Sequence, residues 1–216
     1  METNAVLIPI GALLAGVVIL LVAGKALSTR AKGWLAFVCG LAAMAGTLYL
    51  LPRVIQNGAV ELSLFDWDAG IAFTYHVDGL SMVFALMATV IGAAILLYCI
   101  PYMAHEEGTT RFYALMLTFI AGLVNLVFSA NLLVAYVSWE IIGLCSYFLV
   151  GFWYKQVAAA QGARKVLVMT HVAGYGLLVG ILLLAARSGS LLWTDPAVGA
   201  SFSTGIFLLM LVAAMA

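Results

Sequence analysis

Few residues in this chain could do chemistry, and Glu140 stands out among them by position. It is the only acidic or basic residue in the apolar stretch 131–152. A helix of that length crosses a bilayer, and at 1.5 Å per residue Glu140 falls about 14 Å from the Asn131 end, close to the midplane. A carboxylate there costs roughly 2.5–3.5 kcal/mol on insertion, so it should face protein or a water-filled cavity. Two uses fit such a group: a station on an ion or proton pathway, or a protonated acid hydrogen-bonded to a neighbouring helix. Tyr136, Gly143 and Tyr147 share its helix face by i−4, i+3 and i+7 spacing, a polar stripe that lipid would not tolerate.

His171 is the next candidate, within the apolar stretch 163–186, where Arg164, Leu167, His171, Tyr175 and Leu178 share a face. Measured from one side of the membrane, His171 lies about 12 Å deep and Glu140 about 18 Å, so their depths are comparable. An imidazole can accept a proton and hand it on. The alternative is a neutral His171 bridging two helices by a hydrogen bond. By residue type alone, Lys165 and Arg164 at the entrance of that stretch are topology anchors whose cations snorkel to the interface. The glycines of Gly174-Tyr175-Gly176 match no phosphate loop and indicate close helix packing. Cys39, Cys99 and Cys145 fall in or beside apolar spans without metal or disulfide spacing. No Walker lysine, dinucleotide fingerprint or HExxH is present, so no redox-cofactor or metal site is expected in this chain.

The elements that must position these residues follow from composition. The chain is 66% hydrophobic and 8% charged, with a mean hydropathy of +1.18, which excludes a soluble domain and fits an all-α polytopic membrane protein. Nine basic and nine acidic residues cancel, so no basic surface for nucleic acid is indicated. Six spans are expected at about 5–24, 34–51, 80–100, 112–128, 131–152 and 163–186. A further apolar run from Ile206 breaks off at Ala216, as in a truncated seventh helix, and implies a fragment of something longer. The start, Met1-Glu2-Thr3-Asn4, lacks the positive region of a signal peptide, so the first span should be retained. The polar connection 52–78 carries Glu61, Asp66 and Asp68, and its aromatic and β-branched residues around Asp68-Ala69-Gly70 predict a small β-hairpin. Pro101 should stop the third span, and residues 187–203 should form a loop. Asp78 with Ser81 is the expected N-cap of the third span. Lys25, Arg30 and Lys32 lie in one loop and Lys155, Arg164 and Lys165 in another. The positive-inside rule makes both cytoplasmic and puts the N-terminus and the hairpin outside.

By Tyr98, itself one of the matching residues, the sequence carries a likeness. Val77-Asp78-Gly79-Leu80-Ser81, Tyr102-Met103, Arg111-Phe112, Asn131-Leu132-Leu133, Trp139-Glu140, Gly143-Leu144-Cys145-Ser146-Tyr147, Gly151-Phe152-Trp153 and residues 163–170 together resemble the L subunit of proton-pumping NADH–quinone oxidoreductase (complex I). That subunit lies within a wider antiporter-like family, which includes large subunits of Mrp cation/proton antiporters and membrane-bound hydrogenases. The resemblance implies that Glu140 is the family's essential fifth-helix glutamate, whose lysine partner on a seventh helix would fall beyond Ala216. It implies that Lys165 is the lysine opening the sixth helix. At His171 and Gly174 the chain departs from the pattern, since many L subunits carry arginine and aspartate there.

The resemblance also sets the wider expectations. The chain would be a proton-translocating subunit of an NADH:quinone oxidoreductase, using Glu140, Lys165 and His171 as a buried relay. NADH, flavin, Fe–S clusters and quinone would sit in partner subunits, both membrane and peripheral. The protein would lie in the inner (plasma) membrane, with residues 1–76 as an N-terminal helix pair plus hairpin loop and 77–216 as the start of the antiporter-like domain. The alternatives are an Mrp-type Na⁺/H⁺ antiporter subunit or a membrane-bound hydrogenase or archaeal dehydrogenase subunit, with Na⁺ as the other coupling ion.

Overall fold

The computed structural model describes residues 3–67 and 71–215. After a short 3-10 turn at Thr3–Val6, the elements are α1 (Leu7–Ala23), α2 (Thr29–Asn57), β1 (Ala59–Trp67), β2 (Ile71–Asp78), α3 (Gly79–Tyr102), α4 (Thr109–Phe128), α5 (Leu132–Val150), α6 (Val157–Ser188), α7 (Pro196–Ala200) and α8 (Thr204–Met215). Six of these helices, α1 to α6, are long and apolar enough to cross a membrane. The chain is a polytopic helical membrane protein with one small antiparallel hairpin, as its composition requires. The Asp68-Ala69-Gly70 turn expected for that hairpin lies outside the described residues.

Helix ends follow local chemistry. The Ser28 hydroxyl accepts from Ala31 N–H at 3.2 Å to open α2. Asp78 Oδ1 accepts from both the backbone N–H and the hydroxyl of Ser81 at 2.8 Å to open α3, which is the expected cap. Such caps satisfy amides that would otherwise be left without partners at a helix start. Asn131 caps α5 by accepting from Leu133 and Val134 N–H. At the far end of α6, Gly189 takes φ 73°, a left-handed cap that favours glycine, and its N–H donates to Ala185 C=O.

Three expectations from sequence need correcting. Helix α2 does not stop at Leu51 but continues through Pro52 to Asn57. Proline removes only one backbone donor there, and Arg53 spans the site by donating to the Tyr49 hydroxyl at 2.7 Å with its guanidinium 4.4 Å from the Tyr49 ring. The stop expected at Pro101 is met, since Pro101 lies inside the last turn of α3, which closes with Tyr102. Residues 187–203 are not all loop. Asp195 Oδ1 accepts from Ala197 N–H, and with Pro196 at the first helical position this nucleates α7. Helices α2 and α6 also start earlier than expected, at Thr29 and Val157, so Arg30, Lys32, Arg164 and Lys165 all lie in helix.

The described chain forms two compact units, Met1–Leu62 with Val77–Phe128 and Ser63–His76 with Ser129–Ala216. In the first, α1 packs on α2 and α4, and α3 packs on α2 and α4. Glycine allows the closest approaches: a Cβ on Gly16 would lie 2.7 Å from Cys39 Sγ, and one on Gly40 2.9 Å from Leu96. Polar groups inside this apolar bundle are satisfied within it. The buried Tyr113 hydroxyl donates to Cys99 C=O at 2.9 Å, and the Thr47 and Thr89 hydroxyls donate back to the Ala43 and Ala85 carbonyls. The outward faces are apolar, Val22 and Leu80 among them, as lipid demands.

In the second unit α6 is central, packing on α5, α7 and α8. On α6, a Cβ at Gly176 would meet Leu209 C=O at 2.9 Å and one at Gly180 would meet Met210 Cγ at 2.6 Å, so this pair of glycines seats α8. At one end of the unit, residues 129–131 run extended between two neighbours. Ala130 N–H donates to Thr74 C=O of β2, while Leu132 N–H donates to Leu191 C=O and Trp193 N–H to Ala130 C=O. Phe65 and Phe73 stack across the hairpin at 4.8 Å.

Candidate functional site: a carboxylate and an imidazole between two spans

Helix α5 brings Glu140 to the middle of its length, and α6 brings His171 opposite. His171 Nε2 lies 3.4 Å from Glu140 Oε2, with side chains 27% and 25% exposed. The helices meet closely at Gly143, where a Cβ would lie 3.5 Å from Thr170 Oγ1 and 3.7 Å from His171 Cε1. A methyl group at that position would make ordinary van der Waals contact with both residues. Tyr136, one turn before Glu140, interacts with the Glu140 carboxylate and lies near Tyr175 of α6. Tyr175 itself is 60% exposed.

Thr170 was not a candidate by sequence, yet it orients the imidazole. Its hydroxyl donates to Val166 C=O at 2.8 Å and lies 3.2 Å from His171 Nδ1. A hydroxyl carries one proton, and that proton is committed to the carbonyl. With that proton on the carbonyl, Oγ1 is left to accept, and the contact then fits the Nδ1–H tautomer of His171. In that tautomer neutral His171 keeps its lone pair on Nε2, the nitrogen that faces Glu140. The sequence signal for this role is faint, because a hydroxyl bonded back to the carbonyl four residues earlier is common in any buried helix.

The two oxygens of Glu140 have different surroundings. Oε2 faces His171, whereas Oε1 is buried and has no hydrogen-bond partner among the described residues. Gly174, one turn beyond His171, lies directly against Oε1. A pair at this distance can hold one proton in either of two ways: Oε2–H facing Nε2, or a carboxylate facing an imidazolium.

Of the residues expected by sequence, Glu140 and His171 are brought together and Lys165 is not. Lys165 is exposed near the start of α6, about 9 Å along the helix axis from His171, and no ion pair joins it to Glu140 among the described residues. Arg164 is exposed beside it. No hydrogen bond links Tyr147 to the pair among the described residues; its ring packs on Phe148. Likewise, no group of His, Cys, Asp and Glu able to hold a metal occurs among the described residues.

Comparison with known proteins places the chain. The family profile described as NADH-Ubiquinone oxidoreductase (complex I), chain 5 N-terminus, matches residues 67–113. The profile described as NADH:quinone oxidoreductase/Mrp antiporter, TM, matches residues 129–216, the segment holding Glu140, Lys165 and His171. The chain is 33% identical over 164 residues to NADH-quinone oxidoreductase subunit L of Campylobacter jejuni, covering 76% of this chain and 28% of that protein. It is 37% identical over 143 residues to the chloroplastic NAD(P)H-quinone oxidoreductase subunit 5 of Ipomoea purpurea, covering 64% of this chain and 20% of that protein. The chain thus spans between a fifth and a third of the length of these curated relatives. Among solved structures, a chain of the Mrp complex from Dietzia sp. DQ12-45-1b superposes with a TM-score of 0.77 at 25% identity, covering 99% of this chain and 23% of that chain. The chain belongs to the antiporter-like membrane subunits shared by NADH:quinone oxidoreductases and Mrp antiporters, and within them to the L or chain 5 type.

Proposed function

We propose that the protein containing this chain is a membrane subunit of a respiratory NADH–quinone oxidoreductase, and that it carries protons across the bilayer as electrons pass through partner subunits. The observation that carries this reading is the 3.4 Å approach of His171 Nε2 to Glu140 Oε2 between two spans. One elementary step follows. The proton on Oε2 passes to the lone pair of Nε2, giving a carboxylate and an imidazolium, and no other bond changes. Return of the proton, or its release from the imidazolium to a further acceptor, resets the pair.

In this reading Lys165 is the third member of the relay. Its cation favours the charged carboxylate when it approaches and releases that preference when it withdraws. Electron transfer, with NADH, flavin, iron–sulfur clusters and quinone, is assigned to partner subunits. Lys25, Arg30 and Lys32 around the α1–α2 connection, and Lys155, Arg164 and Lys165 around the start of α6, favour a cytoplasmic side for those helix ends, which would put the N-terminus outside the plasma membrane.

The test is Glu140→Gln in the full-length protein within its complex. The amide keeps size and hydrogen bonding but cannot exchange a charge. Assembly on a native gel should be retained while protons translocated per electron fall sharply. An assembled variant pumping at the wild-type ratio would end the proposal. A second reading, cation/proton antiport without electron transfer, is supported by the likeness to the Mrp complex over nearly the whole chain. It requires that a Na⁺ gradient alone drive a pH change in vesicles holding the full protein with its partners and no electron donor.

A further inference from the structure

We infer that Gly174 is a positioning residue: its missing side chain is the seat in which the Glu140 carboxylate rests, and that seat holds Oε2 towards His171. The inference builds on the reading of Glu140 and His171 as a proton-exchanging pair. A Cβ built on Gly174 would collide with Glu140 Oε1 and stand 3.5 Å from Cδ and 4.0 Å from Oε2, and no other atom is among its nearest neighbours. The carboxylate oxygen therefore occupies the volume that any other residue would fill at this position. Gly176 and Gly180, on the same helix, meet α8 instead. Their role is helix packing, whereas at Gly174 the neighbour is a functional side chain of α5. Because Gly174 follows His171 by three residues, both lie on one face of α6. That face presents the carboxylate with a backbone surface at Oε1 and an imidazole at Oε2. Oε1 is buried without a hydrogen-bond partner among the described residues, and Oε2 is the oxygen that meets His171.

A side chain at 174 would push the carboxyl group back along its own helix and open the gap to His171. Shortening the acid should undo this, because aspartate retracts the carboxylate by one carbon and leaves room for a methyl group. The experiment is a double-mutant cycle in the full-length protein and its complex, with Gly174→Ala, Glu140→Asp and the two combined. Three quantities are read: assembly on a native gel, the thermal midpoint of the solubilised complex, and the infrared carboxyl band that disappears in Glu140→Gln. Gly174→Ala should lower the midpoint and move the carboxyl band. Adding Gly174→Ala to Glu140→Asp should lower the midpoint by less than half as much. If Gly174→Ala alone fails to assemble, the combined variant should assemble. Equal midpoint losses in both backgrounds, an unmoved carboxyl band, or a combined variant that also fails to assemble would overturn the inference. None of these readouts depends on pumping. A coupled cycle beside a fully active Glu140→Gln would leave Gly174 as the seat and discard the proton-pair reading. An additive cycle beside an inactive, assembled Glu140→Gln would do the reverse.

Discussion

The indole N–H of Trp193 donates to the carbonyl of Ser129 at 3.0 Å, across a sequence separation of 64. The backbone N–H of Trp193 donates to Ala130 C=O at 3.0 Å, and its ring meets His76 edge-on at 5.1 Å. Residues 129–131 lead directly into the cap of α5, so Trp193 braces the end of the helix that carries Glu140. Trp193→Phe keeps an aromatic ring and removes the side-chain donor. The expected loss is about 0.5–1.5 kcal/mol, the usual net worth of one hydrogen bond. It should appear as a lower unfolding midpoint of the full-length protein in detergent, and an unchanged midpoint would show that the indole bond braces nothing.

Thr170 should matter through the tautomer of His171. Thr170→Val keeps the branched shape and deletes the acceptor for Nδ1–H. About 1 kcal/mol of tautomer preference is lost with that bond, which corresponds to about fivefold in the population with Nε2 free. Proton translocation per electron should fall by a similar factor with assembly unchanged, and Thr170→Ser should recover most of it. A serine variant as impaired as the valine variant would argue that shape, rather than the hydroxyl, is what α5 requires at this contact.

Lys165 and His171 should separate by magnitude. Lys165 is exposed and away from the pair, so Lys165→Gln is expected to reduce translocation less than Glu140→Gln does. His171→Gln keeps a hydrogen-bonding group beside Oε2 but cannot carry the proton away as a cation, and a moderate loss is expected. Stopped translocation in the lysine variant, with the histidine variant unimpaired, would invert the roles given to these two residues.

Topology can be checked without function. Asn57 and Lys155 are both exposed, at opposite expected faces. With Cys39, Cys99 and Cys145 replaced, an impermeant thiol reagent added outside intact cells should label Asn57→Cys and leave Lys155→Cys untouched. The opposite labelling pattern would put the N-terminus on the cytoplasmic side.

The positions of the six spans could be read from sequence because hydropathy and span length are local properties, set by bilayer thickness rather than by partners. The depth of Glu140 was legible for the same reason, since rise per residue converts sequence distance into depth. The hairpin could also be seen, in the aromatic and β-branched residues that β1 and β2 now carry. A span end at Leu51 is too short, because α2 continues through Pro52 to Asn57, whereas α3 does close one residue past Pro101.

What sequence alone could not decide is which faces of two helices meet. Each residue step turns a helix by about 100°, so a small change in packing rotates a side chain towards a neighbour or away from it. The stripes containing Glu140 and His171 were visible, and they left a bridging hydrogen bond and a relay equally open. Only the packing of α5 on α6 at Gly143 brings Nε2 to 3.4 Å from Oε2 and leaves Lys165 apart. Thr170 and Gly174 belong to the same class, because an acceptor for Nδ1 and a vacant volume for Oε1 exist only once both helices are in place. The brace from Trp193 to Ser129 is also tertiary, since closing a loop of that length leaves no periodic trace in the chain.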